Sequence, residues 1–421
     1  MTGGPMPDGA EAPGHEPLAL DTDPAVYVAL HDALDEGAAD VALGEREREV
    51  RAATRRVVAE EVAPRAASVD REHAFVHESY QALAAAGLAG LLVPAEYGGT
   101  DDTHVAYALA MEEITAGCGA TSLVYMTQMH TAYPLLLAGT PAVVEQYVPG
   151  LADGSVYGSL AVTEPAAGSD ASSMRTTATP REDGAGYSLN GSKTFITTGD
   201  RSDVVVCFAT LDPGAGRRGI TAFAVDGASS GLSRSRPFDK MGMHGSTTAE
   251  VHLDETPVPA THRLGDEGSG WSIVVRAVTK SRISAAAQGV GLARGAYAHA
   301  LAALHRAHGP DLPPDVAAEM ADLRGRVLQA RLVLLGVARQ VDRGEADGGA
   351  IGLMKQTCTD LGWSVAVAAA RVLGRRGDLA DLGVERYLRD AKVTQIYDGT
   401  NEVQRLLVAR DTAQRVKEAL R

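Results

Sequence analysis

Apolar positions along the chain change their spacing twice. From about Glu45 they recur at helical intervals: Val50, Ala53, Val57 and Val58 mark one face of a helix running through Arg65, with Pro64 predicting its end. Further helices are predicted over 77–86, 103–116, 121–137 and 141–148. The segment 87–99 predicts a Gly-punctuated loop with one short apolar piece. From about Gly150 the apolar runs become short and alternate with turn residues, at 157–162, 187–189, 195–197, 204–209, 220–225 and 249–253. Asn190-Gly191 between two such runs predicts a hairpin turn. At Gly270 the helical period returns in long runs, over 271–305, 315–343, 349–373, 384–397 and 401–419. Runs of that length suit a helical bundle joined by short loops.

The pattern therefore predicts an α+β architecture in three parts. An N-terminal helical domain occupies 45–150, a central small β-domain 151–268, and a C-terminal bundle of four-helix type 269–421. Residues 1–44 form an extension outside them. Its first 21 residues are rich in Gly, Pro, Asp and Glu and are expected to be disordered. The stretch 23–44 predicts a short, weak helix serving as a linker or appended arm.

Composition narrows the classes of function. A chain of 421 residues, 45% hydrophobic, supports two or three packed domains, and with 5% aromatic residues its core relies on Ala, Val and Leu. The net charge of −15 is spread along the chain, which argues against nucleic acid as a partner. Cys118, Cys207 and Cys358 lack the paired spacing of a zinc or redox motif and suit buried free thiols in a reducing compartment. No apolar run approaches the roughly 20 residues of a membrane span, and the N-terminus lacks a signal pattern. A soluble, cytoplasmic protein is expected.

Four stretches carry candidate chemistry. Residues 389–405 read as helix, break at Asp398-Gly399-Thr400, and second helix. Gly399 permits close backbone approach, and the following helix N-terminus favours negative charge. The same pattern also fits an ordinary joint with a solvated Asp. Residues 161–170 run from a strand into a small-residue loop where Thr163, Gly168 and Ser169 can hold a pyrophosphate or form a plain turn. Residues 193–199 place Phe195 and Thr197 on a strand. Ser281-Arg282-Ile283 opens a helix whose small residues, 285–291, allow close helix packing or close cofactor approach.

The stretch 389–405 resembles the C-terminal signature of the FAD-dependent acyl-CoA dehydrogenase family. In that family a carboxylate at this turn removes the α-proton of an acyl thioester. The family usually has Glu there; this chain has Asp398, one methylene shorter. Residues 161–170 resemble the family's "TEP-AGSD" signature, 87–99 its "GL-GL-VPEEYGG" connection, and 239–259 its "LG-RGS-T" strand region, with His244 where Arg is common. The resemblance implies FAD as cofactor, with Val162 and Thr163 against the isoalloxazine and Ser169 on a phosphate. It puts Phe195 beside the flavin ring, the Thr197 hydroxyl near flavin N5, and Thr400 and Glu402 on the cofactor side. It places Arg282, Tyr397 and Gly399 on the substrate side. Some members carry their catalytic Glu just before the Arg, where this chain has Ser281. Two motifs depart. The family's "R--FG" is replaced at 305–309 and its "Q--GG" at 371–375, leaving Arg371 and Arg375 as candidates for the FAD diphosphate or as surface charge.

The implied reaction is α,β-dehydrogenation of an acyl-CoA or acyl-carrier-protein thioester to the trans-2-enoyl thioester. Asp398 takes the proton, a hydride goes to FAD N5, and the Asp398 N–H helps hold the thioester oxygen. Electron-transferring flavoprotein or oxygen is the expected acceptor, and a homotetramer, a dimer of dimers, the expected assembly. A flavin monooxygenase, a non-redox enzyme of dehydratase type and a binding protein that has lost FAD are the rival readings on the same architecture.

Overall fold

The structure, a computed structural model, describes residues 18–35 and 43–421. Of the disorder expected over 1–21, residues 1–17 lie outside the described residues, as does the end of the arm at 36–42; the remainder is ordered instead, with a helical turn at Ala19–Thr22 held by the burial of Leu18 and Leu20. The predicted short helix is present as α1 (Pro24–Ala33), with Asp23 Oδ1 accepting the Ala25 N–H at 2.9 Å as its cap. It does not trail as a loose arm. Leu18, Leu20 and Tyr27 are buried against the body. Asp35, just beyond α1, accepts hydrogen bonds from Arg55 at 3.0 and 3.1 Å and from Arg294 at 3.3 Å. Arg294 also donates to Glu112 (3.1 Å) and Glu113 (2.6 Å), and Arg331 donates to Glu112 (3.1 Å). Burial alone would raise the Glu113 carboxyl, but Arg294 and Arg55 hold it well below the carboxylate range. These interior charges are matched one against another, which is the condition under which buried ions are tolerated.

Helix α2 (Glu45–Val57) does not end at Pro64. It passes through a π-turn, Val58–Val62, directly into α3 (Ala63–Glu72). Pro64 lies just past the π-turn, at the second position of α3, where the ladder is already irregular. Helices α4 (His77–Ala85), α5 (His104–Gly117), α6 (Gly119–Ala138) and α7 (Pro141–Asp153) complete the N-terminal layer. The expected apolar piece in 87–99 is not a strand; Leu88, Leu91 and Val93 bury their side chains from consecutive turns.

Eight strands follow in one sheet: β1 (Gly158–Ala161), β2 (Thr177–Pro180), β3 (Gly186–Thr197), β4 (Val204–Thr210), β5 (Ile220–Asp226), β6 (Leu232–Arg234), β7 (Thr248–Pro259) and β8 (Arg263–Leu264). The order is β6-β7-β3-β2-β4-β5-β8, with β1 parallel to β4. Alternation along β4 explains how the sheet joins two cores. Val204, Val206 and Phe208 face the helices, while Val205, Cys207 and Ala209 face a second core with Leu189, Phe223 and Val251.

Asn190-Gly191 makes no hairpin. Both residues lie inside β3, at a register shift against β7, where Asn190 Oδ1 accepts the Glu255 N–H at 2.8 Å. Gly191 has φ 152°, and a Cβ there would meet Thr176 Oγ1 at 2.5 Å. The glycine admits a neighbouring segment and turns nothing.

The C-terminal bundle contains α8 (Gly270–His308), α9 (Pro314–Asp342), α10 (Gly348–Val372), α11 (Val384–Thr394) and α12 (Asn401–Ala419). Helices α8 and α10 cross backbone against backbone. A Cβ on Gly289 would lie 2.5 Å from Cys358 O, and one on Gly362 would lie 2.5 Å from Gly289 O. The small residues of 285–291 therefore serve helix packing at this crossing. The three cysteines are buried and free. Among the described residues no helix is long and apolar enough to cross a membrane.

Gly289→Ala is expected to force the crossing apart and lower the unfolding free energy by about 2 kcal/mol, in the range of an overpacked core. Denaturant unfolding followed by circular dichroism measures it.

Candidate active site

The site is built on the turn between α11 and α12. The N–H groups of Ile396 and Tyr397 both donate to Val393 O, at 2.9 and 3.3 Å, and Asn401 N–H reaches back to Gln395 O at 3.0 Å. Thr400 caps α12, its hydroxyl accepting the Val403 N–H at 3.3 Å. Between these fixed points Asp398 and Gly399 both adopt left-handed backbone, φ 56° and 85°. Asp is among the side chains that tolerate this region, and Gly meets no penalty there.

Three donors hold the two carbonyls of the turn. Arg282 Nε lies 3.3 Å from Asp398 O. Gln404 Nε2 lies 3.3 Å from Asp398 O and 3.0 Å from Gly399 O. Lys355 Nζ donates to Gly399 O at 3.0 Å and to Asn401 Oδ1 at 2.8 Å. Two groups of Asp398 itself are left over. Its N–H has no hydrogen-bond partner among the described residues, and its Oδ2 is buried without one.

Lys355 is fully buried on α10. Burial pushes its ammonium down to about 8, opposed by the Asp398 carboxylate. Burial likewise lowers Arg282, with Asp398 opposing. Tyr397 donates its hydroxyl hydrogen to Gln288 Oε1, and Gln288 Nε2 donates to Ser122 Oγ at 2.8 Å, tying the turn to α8 and α6. Lys355 and Gln404 carry no motif. The legible signal for Lys355 is its place on the same apolar face as Ile351, Met354 and Cys358, where a lysine is out of character.

The sheet brings the other predicted segments side by side. Thr194 N–H donates to Thr163 O at 2.9 Å, and buried Lys193 donates to Val162 O at 3.2 Å while pairing with Glu164 at 2.8 Å. Glu164 in turn accepts the N–H groups of Arg175 (2.6 Å) and Thr176 (3.0 Å). Phe195 sits on a bulge of β3 with φ 57° and is 67% exposed, its ring 5.2 Å from that of Phe238. Thr163 and Thr197 are half-buried, and neither hydroxyl has a partner among the described residues. Helix α6 links this edge to the turn. Gln128 Oε1 accepts the Gly158 N–H at 2.7 Å, and the charge of Asp398 reaches His130 on the same helix.

Several predicted residues stand apart. Ser169 is exposed on its loop, and Glu402 is exposed in the first turn of α12 beside Arg405 at 3.7 Å. Arg371 is exposed and pairs with Glu319; Arg375 is exposed. Arg371 lies about 24 Å along α10 from Lys355. Within one chain neither arginine joins the Asp398 turn. His244 is a satisfied histidine, stacked 3.9 Å from His73, with Nε2 2.7 Å from Lys240 O.

Three models of acyl-CoA dehydrogenase domains match in order: the N-terminal domain over residues 44–155, the middle domain over 159–256 and the C-terminal domain over 268–413. The chain belongs to the acyl-CoA dehydrogenase family. It is 36% identical over 357 residues to an acyl-CoA dehydrogenase of Bacillus subtilis (strain 168), covering 83% of this chain and 93% of the relative. The butyryl-CoA dehydrogenase of Megasphaera elsdenii superposes with a TM-score of 0.84 at 30% identity, covering 88% of this chain and 99% of that one. PigA, solved as an FAD complex, superposes at 0.82 with 25% identity over 88% of this chain and 99% of that one. As a member, the chain is an FAD-dependent flavoprotein oxidoreductase with the family's three-part fold.

The residues present fit such a cofactor. An apolar ring held out on a left-handed bulge, with two half-buried hydroxyls lacking partners beside it, is a surface built to be covered by a flat polar heterocycle.

The depressed Lys355 makes a pH prediction. The unfolded chain holds the lysine proton up to the ordinary value of 10.5 and the folded chain only to about 8, so folding stability rises with pH between them. The stability of the wild type relative to Lys355→Met should grow by roughly 2–3 kcal/mol between pH 7 and 10, from ~1.4 kcal/mol per pH unit. Denaturant titrations of both proteins across that range check it.

Proposed function

We propose that this enzyme oxidises an acyl thioester to the trans-2-enoyl thioester, with Asp398 as the base for the α-proton. One observation carries the reading. Asp398 Oδ2 is sealed from water without a partner, on a turn whose own N–H is also unpaired and whose carbonyls are clamped by Arg282, Gln404 and Lys355. An unpaired carboxylate oxygen in the interior is costly, and a substrate C–H about to be ionised gives it a partner.

The chain's residues divide the work. Asp398 takes the α-proton. The Asp398 N–H donates to the thioester oxygen, where negative charge develops as that proton leaves. The clamp fixes the backbone from which the carboxylate extends, which matters because Asp reaches about 1.5 Å less than Glu, one C–C bond. Bound FAD supplies the acceptor for the hydride lost from the β-carbon. Val162, Thr163, Phe195 and Thr197 would flank its ring, with Ser169 on a phosphate and Thr400 and Glu402 at the far edge. Arg371 and Arg375 would meet the diphosphate of a neighbouring subunit's cofactor in a homotetramer.

The carrier is CoA or an acyl carrier protein, and the electrons pass to electron-transferring flavoprotein or oxygen in the cytoplasm. In this scheme the domains expected at 45–150, 151–268 and 269–421 would together enclose the substrate between the Asp398 turn and the strand that carries Phe195 and Thr197.

Asp398→Asn is expected to keep the yellow cofactor and to slow flavin bleaching by acyl thioesters about 10²–10⁴-fold under anaerobic conditions. Undiminished bleaching in that variant removes Asp398 from the mechanism.

A further inference from the structure

Helices α5, α6 and α8 enclose a chain of polar side chains that the proposed chemistry leaves unused. Tyr107 Oη lies 3.0 Å from Ser284 Oγ, and His130 Nε2 lies 3.3 Å from the same oxygen. Tyr107 and Ser284 are buried, and His130 is half-buried. Ser284 stands one turn before Gln288 on α8, and Gln288 accepts the hydroxyl of Tyr397, the neighbour of Asp398. Ser284 therefore lies about 6 Å along α8 from the residue that holds the Tyr397 hydroxyl. Burial raises the Tyr107 hydroxyl and lowers the His130 imidazolium, and the Asp398 carboxylate adds to the first shift and opposes the second. Both groups thus share an environment with Asp398, and His130 is held neutral.

The direction of these hydrogen bonds follows from what each buried group can satisfy. Ser284 Oγ is the one partner of the Tyr107 hydroxyl among the described residues, so Tyr107 must donate to it or bury an unpaired O–H, at a cost of about 1–3 kcal/mol. Ser284 must then donate its own hydrogen to His130 Nε2; were His130 to donate instead, the serine hydrogen would be the orphan. A neutral imidazole accepting at Nε2 carries its proton on Nδ1. His130 Nδ1 has no partner among the described residues, and the residue is only half-buried. Tyr107 thereby sets, through Ser284, the tautomer that His130 presents.

We propose that His130 Nδ1–H is a specificity-determining donor, and that the acyl group this enzyme accepts carries a hydrogen-bond acceptor, a keto or ether oxygen, a few carbons beyond the thioester. This rests on the Asp398 turn being the thioester site. A plain alkyl chain would bury that N–H without a partner, the situation in which a binding site discriminates strongly against the analogue that lacks the acceptor.

The test uses an isosteric pair, 4-oxopentanoyl-CoA and 4-methylpentanoyl-CoA. Calorimetric titration of the FAD-loaded Asp398→Asn enzyme measures binding with turnover suppressed. The keto thioester is expected to bind at least tenfold more tightly. Adding His130→Leu should bring the ratio to about one, and His130→Asn, which keeps an N–H donor, should restore part of it. Equal affinities in the His130 parent, a ratio unmoved by His130→Leu, or no binding of either thioester overturns the proposal. Anaerobic mixing of wild type with the same pair separates the two readings. The expected binding ratio without flavin bleaching sinks dehydrogenation and leaves the selection standing.

Discussion

The approach of Gly289 to the backbone of Cys358, and of Gly362 to the backbone of Gly289, governs the rest of the C-terminal half. Arg282 stands two turns before the first glycine and Lys355 two turns before the second. Because the helices touch main chain to main chain, both cations arrive at the same short segment, and each finds one of its carbonyls. A larger residue at either glycine would move one cation away from the other by the width of a side chain. Close packing here is less a matter of apolar area than of registering two buried charges on one turn.

That turn stores local strain. A non-glycine residue in the left-handed region followed by a glycine in the same region persists only where the surroundings over-determine it. Here they do: a helix end on one side, a capped helix start on the other, and donors from α8, α10 and α12 on the carbonyls between. The arrangement consumes the carbonyls and leaves the Asp398 amide and carboxylate facing outward from the clamp. The starting point of the Asp398 side chain is thereby fixed, whatever its length.

The sequence disclosed what depends on local pattern. Long helical periods predicted every helix of the bundle, and the break at Asp398-Gly399 was visible because Gly and a following cap leave local marks. What it concealed was tertiary. Asn190-Gly191 has hairpin chemistry, yet Gly191 is needed so that Thr176 can pass beside it. Pro64 is a helix breaker only if the preceding ladder is regular, and the π-turn at Val58–Val62 removes that condition. Tyr107, His130 and Ser284 come from helices buried on nearly every side, where periodicity offers no contrast between core and site. Arg371 and Arg375 were nominated by elimination at a departing motif, and nothing within a single chain draws them to the turn.

The charges beneath α1 give the leading segment a part in the interior. The family's N-terminal match begins at residue 44, whereas Asp35, which ties Arg55 to Arg294, lies ahead of it. A chain shortened to residue 44 would retain Asp398, Lys355 and the whole sheet, yet Arg55, Arg294 and Arg331 would lose a carboxylate they share. The leading segment is in this sense an electrostatic keystone, bringing from the front of the chain a counter-charge to guanidiniums of the interior.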